Sequence, residues 1–425
     1  MRPIRSIGAF VILAWPLLLE CQISAASKGQ AQQPLTVTAV ISMVLNSNPR
    51  IAAAGERVRA AEGSRRTARS WINPTLSYQV EDTGFPGQAT PAGLEKETSA
   101  TAMIPLAPLY QLRPRSAQAN AEVRAAEAEL QSVRRSASLD AVGAFYSAAL
   151  AQVSVSSLDE SRAWVDSLIT YTAARVREGA AAEVDLIRLE LERDRAETDL
   201  ALARVDVARS RSELASLIGT NQFDIDPARA AESAWRPAPL PPLEDVVARA
   251  VTNRPELAAA DARIAAAASG VSVQRNAIVR DLGLMTGLKT MSGTRSMIAG
   301  LSVTLPLFDQ NRGEIQRAVA ERRIAAFDRQ LSEREIVAEV SATYAAVETL
   351  SAQLARMQGG LIRRAEEARR IAEGAYREGA TPLTQVLEAA RALAEARQLY
   401  YRALFTREHQ FIALTLVHPS AERAR

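Results

Sequence analysis

The sequence predicts a mainly α fold with a small β part, laid out as two tandem helix–strand–strand–helix–helix repeats. Three observations carry that expectation. Short phrases recur in one order at an offset of about 200 residues, two pairs of segments alternate with period two, and proline-poor stretches run too long for a compact domain.

The recurrence is the strongest of the three. Asn48-Pro49-Arg50-Ile51 is answered by Arg254-Pro255-Glu256-Leu257, and Ile104-Pro105-Leu106 by Leu305-Pro306-Leu307. Tyr146 is answered by Tyr344, and Arg177-Glu178-Gly179-Ala180 returns identically as Arg377-Glu378-Gly379-Ala380. The offsets are 206, 201, 198 and 200 positions. One such match would be weak, but four in order point to a duplication, with residues 27–235 as the first repeat and 236–425 as the second.

Residues 1–26 read as an export signal. Arg2 and Arg5 precede a short apolar core from Ile7 to Leu19, and Ser24-Ala25-Ala26 supplies small residues at a cleavage point. The apolar run is shorter than a bilayer span and holds Pro16. Cys21, the single cysteine, raises lipid attachment as an alternative, disfavoured by Glu20 before it. Without Cys21 no disulfide can form. Beyond residue 26 no apolar stretch looks long enough for a membrane helix, so membrane entry would have to be made by strands.

Each repeat opens with a short helix (Val37 to Leu45; Leu243 to Val251), then a second one with proline in its first turn, ending near Ser70 or Arg280. Strands follow at about 75–83 and 98–104, where Leu76, Tyr78 and Val80 alternate with polar residues, and at about 281–290 and 295–305. Turns fall at Gly84 to Gly93 and at Ser292-Gly293. Their length is close to the roughly 9–11 residues of a tilted membrane strand, although two soluble hairpins would alternate in the same way. A helix from Arg115 to about Val176 has no proline and would make a rod of roughly 90 Å. The glycine of each Arg-Glu-Gly-Ala stops it. Leu186, Leu189, Arg193, Ala196, Leu200, Ala203, Val207, Ser210, Leu214 and Leu217 then step by three and four, a heptad seam for an antiparallel return. Asp226-Pro227 and Pro237 to Pro242 read as a linker or irregular insert.

The chemistry inventory points away from an enzyme. The only histidines are His409 and His418, with no zinc spacing, phosphate-binding glycine loop or nucleophile–base pair. No cofactor is expected. A net charge of +3, spread through helices, argues against a nucleic-acid surface. Runs such as Glu190-Leu191-Glu192-Arg193-Asp194-Arg195 read as solvated helix faces.

The duplicated order of Asn48-Pro49, Pro105-Leu106, Arg254-Pro255, Leu305-Pro306-Leu307-Phe308 and the two Arg-Glu-Gly turns resembles the TolC-like outer-membrane factor family. The turns are followed by Ala182-Glu183-Val184-Asp185-Leu186 and by Leu383 to Glu388, and the resemblance spans nearly the whole mature chain. Pro306 to Gly313 and Arg254 to Ala260 are similar to the cobalt–zinc–cadmium cation-efflux subgroup. The resemblance implies a homotrimer in the outer membrane of a Gram-negative bacterium. Four strands per protomer would make a 12-stranded β-barrel, and the coiled coils a periplasmic α-barrel. It also implies a periplasmic adaptor protein and an inner-membrane resistance-nodulation-division pump as partners. The adaptor would meet Arg177, Glu178 and Gly179 together with Arg377, Glu378 and Gly379. Candidate aperture residues by the same match are Asp185, Tyr376, Gln385 and Glu388. Gln385 and Thr381 depart from the founding member, which has an aspartate and an arginine there. First-turn acids such as Asp185 are also favoured by the helix dipole alone. The implied function is a passive exit duct for heavy-metal cations. Multidrug or type I secretion, and a soluble periplasmic coiled-coil spacer or adaptor, are the alternatives.

Overall fold

The computed structural model describes residues 34–81, 97–234, 240–279, 281–291, 293–358 and 360–416. The export segment with Cys21, the Gly84 to Gly93 turn, Ser292, Pro237 and His418 lie outside the described residues. Ten helices and four strands are described: α1 (Val37–Ser47), α2 (Pro49–Arg69), β1 (Thr75–Glu81), β2 (Glu97–Pro105), α3 (Pro108–Arg177), α4 (Glu183–Ile218), α5 (Pro227–Ala234), α6 (Leu243–Asn253), α7 (Pro255–Asn276), β3 (Leu282–Met291), β4 (Thr294–Val303), α8 (Arg312–Gln358), α9 (Leu361–Arg377) and α10 (Leu383–Thr415). The strands form one antiparallel sheet in the order β1-β2-β3-β4.

The recurring Asn-Pro and Arg-Pro phrases sit at equivalent helix starts but work differently. Asn48 is buried; its Oδ1 accepts from the Arg50 N–H at 2.9 Å, while Nδ2 donates to the Leu217 carbonyl at 3.2 Å. It therefore caps α2, where Pro49 needs no partner for a missing N–H, and ties that corner to the end of α4. Arg254 makes no cap. Its guanidinium instead reaches Glu339 on α8 at 2.9 and 3.4 Å.

α3 begins earlier than the sequence suggests and passes through Pro114. A proline inside a helix leaves the carbonyl four residues back without its donor. Here that carbonyl belongs to Tyr110, and Asn276 Nδ2 donates to it at 3.1 Å. The second copy departs from the first in the opposite sense: its rod is divided between α8 and α9 at Gly360, whose φ of 138° suits only glycine. The stretch read as a linker contains the short helix α5, started by Asp226, whose Oδ1 accepts from the Ala228 and Arg229 N–H groups. At the crossover into α8, Asn311 takes φ 57° and its buried amide donates to the Gln274 carbonyl at 2.7 Å.

α3 is the spine. α2 and α4 flank it on one side, α7 and α10 on the other, and α8 with α9 packs beyond these. The main core surrounds Phe145, Tyr146, Leu214, Leu354, Leu404 and Phe405, with Tyr146 stacked on Phe405 at 5.4 Å. Contrary to the expectation from the sequence, α3 does contain a window long and apolar enough to cross a membrane. Half of that window is buried inside the protein, so it is a core segment.

Candidate functional site

The two ends of the helical layer carry the features of interest. At one end the sheet has two unlike faces. The register places Leu76, Tyr78 and Val80 beside Ala102, Ala100 and Thr98, then Thr286, Leu288 and Thr290, then Ala299, Met297 and Arg295. Leu284 and Leu301 extend the same face. The opposite face holds Ser77, Gln79, Ser99, Thr101, Gly287, Lys289 and Ser296, with Met103, Met285 and Ile298 as its apolar members and Lys289 ion-paired to Glu97. Side chains on a strand alternate in this way because the period is two.

Across β2, β3 and β4 the apolar face is the more exposed one, while β1 is exposed on both faces. Leu76 is 79% and Met297 77% exposed, whereas Gly283, Met285, Gly287 and Lys289 on the other face are buried or half-buried. A sheet in water does the reverse, so this pattern asks for an apolar medium outside. Gly287 is required by the tight polar side: a Cβ there would lie 2.8 Å from Thr101 Cα. Where the sheet meets the helices, Trp71 and Phe308 project at 50% and 99% exposure, as interfacial aromatics do. β1 and β4 each leave one edge unpaired among the described residues.

At the far end the two Arg-Glu-Gly turns fold alike. Ala180 N–H donates to Arg175 O at 2.8 Å and Gly179 N–H to Val176 O at 3.0 Å; Ala380 to Ala375 and Gly379 to Tyr376 repeat those distances. This is the double bond of a Schellman cap, with Gly179 at φ 73° and Gly379 at φ 78°. Arg177, Glu178, Arg377 and Glu378 are exposed at the turns.

The structure distributes the four aperture candidates over different environments. Gln385 and Glu388 are exposed on α10. Asp185 is partly covered in the first turn of α4, with Arg188 of its own helix 3.9 Å away. Tyr376 is buried between α9 and α3, its hydroxyl 3.1 Å from Thr172 Oγ1 and its ring 6.4 Å from that of Tyr171. Tyr376 thereby joins the second hairpin to the first through Thr172, while the ion pair of Asp185 stays within its own helix. The remaining joins are made by residues with no sequence signal. Arg175 donates to the Tyr376 carbonyl at 3.4 Å and to the Ala180 carbonyl at 3.1 Å, and Tyr171 donates to the Arg377 carbonyl at 3.0 Å. Trp164 Nε1 donates to Glu373 at 3.1 Å, and Arg391 holds Glu192 across the hairpins at 2.6 Å. Beneath them Val165, Leu168, Leu189, Leu383, Val386 and Leu387 make a separate small core. Tyr171 and Thr172 are not part of the recurrence between the two copies, because position 371 is isoleucine and 372 alanine.

A polar cluster lies at the joint of α3, α7, α8 and the end of α10. Buried Arg135 donates to the Leu416 carbonyl at 3.0 Å and the Ala413 carbonyl at 3.3 Å, and shares Glu339 with Arg254. Burial, then the neighbouring Arg254, push the Arg135 guanidinium below its ordinary value. Burial acts to raise the Glu339 carboxyl, but hydrogen bonds and charge from Arg254 and Arg135 outweigh it and hold it below the usual range. Among the described residues no group of three or more His, Cys, Asp or Glu side chains could hold a metal ion.

The family model described as outer membrane efflux protein matches residues 40–220 and 246–417. The cobalt-zinc-cadmium resistance protein CzcC of Cupriavidus metallidurans is 27% identical over 383 residues, covering 88% of each chain. The nickel-cobalt-cadmium resistance protein NccC of Alcaligenes xylosoxydans is 26% identical over 332 residues, 76% of this chain and 74% of that one. Among solved structures, CusC superposes with a TM-score of 0.77 at 18% identity, covering 92% of this chain and 93% of its own.

Proposed function

This chain belongs to the outer membrane efflux protein family, and we propose that it works as a homotrimeric exit duct for heavy-metal cations. The exposed apolar face of the sheet is the observation that supports the reading most. Ten residues of β3, at about 3.4 Å each and tilted by about 40°, rise roughly 26 Å, close to the ~25 Å apolar band of an outer-membrane barrel. Three four-stranded sheets joined β1 to β4 would make a closed barrel of 12 strands and leave no edge. The polar face, with Lys289 and Glu97, would then line the lumen. A soluble spacer would have no use for a sheet whose apolar side faces out.

Below the membrane the helical layer continues the duct toward the inner membrane. The exposed turns at 177–179 and 377–379 are the surface for a periplasmic adaptor, which connects the duct to a resistance-nodulation-division pump. Asp185, Gln385 and Glu388 line the narrow end in this reading, and a threefold ring of carboxylates there favours cations. Tyr376 acts from inside the protomer wall, holding the two hairpins together. The relatives named for cobalt, zinc, cadmium and nickel resistance support the choice of cargo. Deleting the gene in a strain without redundant ducts should raise sensitivity to zinc, cobalt or cadmium. Unchanged sensitivity to all three would rule out cation export as its role.

A further inference from the structure

The polar face of the sheet carries a pair of soft sulfur donors. Four of the chain's seven methionines stand in the strands: Met103 on β2, Met285 and Met291 on β3, and Met297 on β4. Strands favour β-branched and aromatic residues, so backbone preference does not explain them. Met103 and Met285 are direct cross-strand partners, in a row that runs Thr75, Met103, Met285, Gly300 across the sheet. Both are half-buried, on the face that holds Ser77, Thr101 and Lys289. Met297 stands on the opposite, apolar face, and Met291 lies six residues beyond Met285, opposite Glu97.

Two glycines make room for this pair. A Cβ built on Gly283 would lie 2.7 Å from Met103 Sδ, and one built on Gly300 would lie 3.3 Å from Met285 Cε. Met103 thus lies flat across β3 and Met285 across β4, each over a backbone without a side chain. Directly paired strand residues have Cβ atoms about 4.5–5.5 Å apart, and methionine is unbranched and flexible, so both sulfurs can turn to one ion between them. Thioethers are soft ligands that select copper(I) and ions like it, whereas carboxylates suit harder cations. No carboxylate stands in the row of the pair or in the same-face rows on either side. Along β2 and β3 the carboxylates are Asp281, bonded by Thr304 at 3.2 Å, and Glu97, held by Lys289.

We propose that Met103 and Met285 together bind a soft monovalent cation, copper(I) or silver(I), on the polar face of the sheet. The pair sits at the helix end of the sheet, two residues before β2 ends at Pro105 and three after β3 begins at Leu282. For its setting the inference rests on the proposed duct, in which this face lines the lumen and the pair stands where the helical layer opens into the barrel. A site of only two thioethers gives an ion a foothold that it can also leave, as conduction requires.

The test uses the detergent-extracted full chain in a Cys21→Ser background, so that no thiol competes. It is titrated with silver nitrate in chloride-free buffer, and bound silver is counted after equilibrium dialysis. Leucine replaces methionine with little change of volume, so Met103→Leu and Met285→Leu keep the sheet packed. Each should bind silver at least about tenfold more weakly than the parent, whereas Met297→Leu, on the apolar face, should match the parent. Zinc nitrate in place of silver should not separate the parent from the variants. Single-channel conductance of the same preparations reports on the duct independently. Conductance steps together with equal silver binding in the parent and both variants would overturn the site and leave the duct standing. Silver binding lost in both variants, in protein that gives no steps, would support the site and count against the duct. Zinc binding that falls along with the silver would contradict the assignment to soft ions.

Discussion

Placing an arginine at Leu288 should be far more damaging than placing one at Ser77, although the two positions sit at nearly the same depth. Leu288 pairs with Ala100, which pairs with Tyr78, the neighbour of Ser77. Leu288 stands on the apolar face at 60% exposure, so in the proposed barrel its side chain would meet lipid. Ser77 lies on the polar face with Thr101 and would meet water. An arginine on the lipid side near mid-membrane costs about 2–4 kcal/mol, and near zero on the lumen side. That cost is a factor of roughly 30 to 1000 in the folding equilibrium of each chain. Refolding into lipid vesicles across a urea series measures it: Leu288→Arg should shift the transition to lower urea or abolish insertion, while Ser77→Arg stays near the parent. Equal shifts for the two, or a larger one at Ser77, would refute the assignment of faces.

Three further outcomes follow from the helical part. Tyr376→Phe removes the bond to Thr172, worth about 1 kcal/mol, and should loosen the joined hairpins; single-channel recordings would then show more frequent open events than the parent. Gly179→Ala or Gly379→Ala forces a side chain into positive φ at a cost of about 1–2 kcal/mol, read as a lower thermal midpoint with the fold retained. Glu339 has a depressed carboxyl in the folded protein, so its contribution is present above the unfolded value near 4.3 and is lost as pH falls through the lower folded value. Thermal midpoints of the parent should therefore drop below about pH 4 more steeply than those of Glu339→Gln, which has nothing to titrate there.

What could be read from residues alone was set by local geometry. The alternation of Leu76, Tyr78 and Val80 is a direct image of a strand with two unlike faces, and the Gly179 and Gly379 turns need positive φ wherever they occur. The heptad row on α4 likewise reports the surface buried against α3, with Leu189, Leu200 and Leu214 fully covered. Long-range partners were not legible. Pro114 reads as a helix boundary until Asn276, over 160 positions away, supplies the missing donor. The joining of the tips depends on Tyr171, Thr172 and Arg175, whose counterparts in the second copy are different residues. Which side of the sheet faces outward also needed the register across all four strands, because β1 taken by itself is exposed on both faces.

The proposed duct is a closed, water-filled channel across the outer membrane. Purified, detergent-extracted full-length protein added to a planar lipid bilayer tests it most directly. Discrete, uniform conductance steps are expected, carried by particles with the mass of three chains. Absence of any steps, with the protein recovered entirely in the osmotic-shock fraction without detergent, would contradict it.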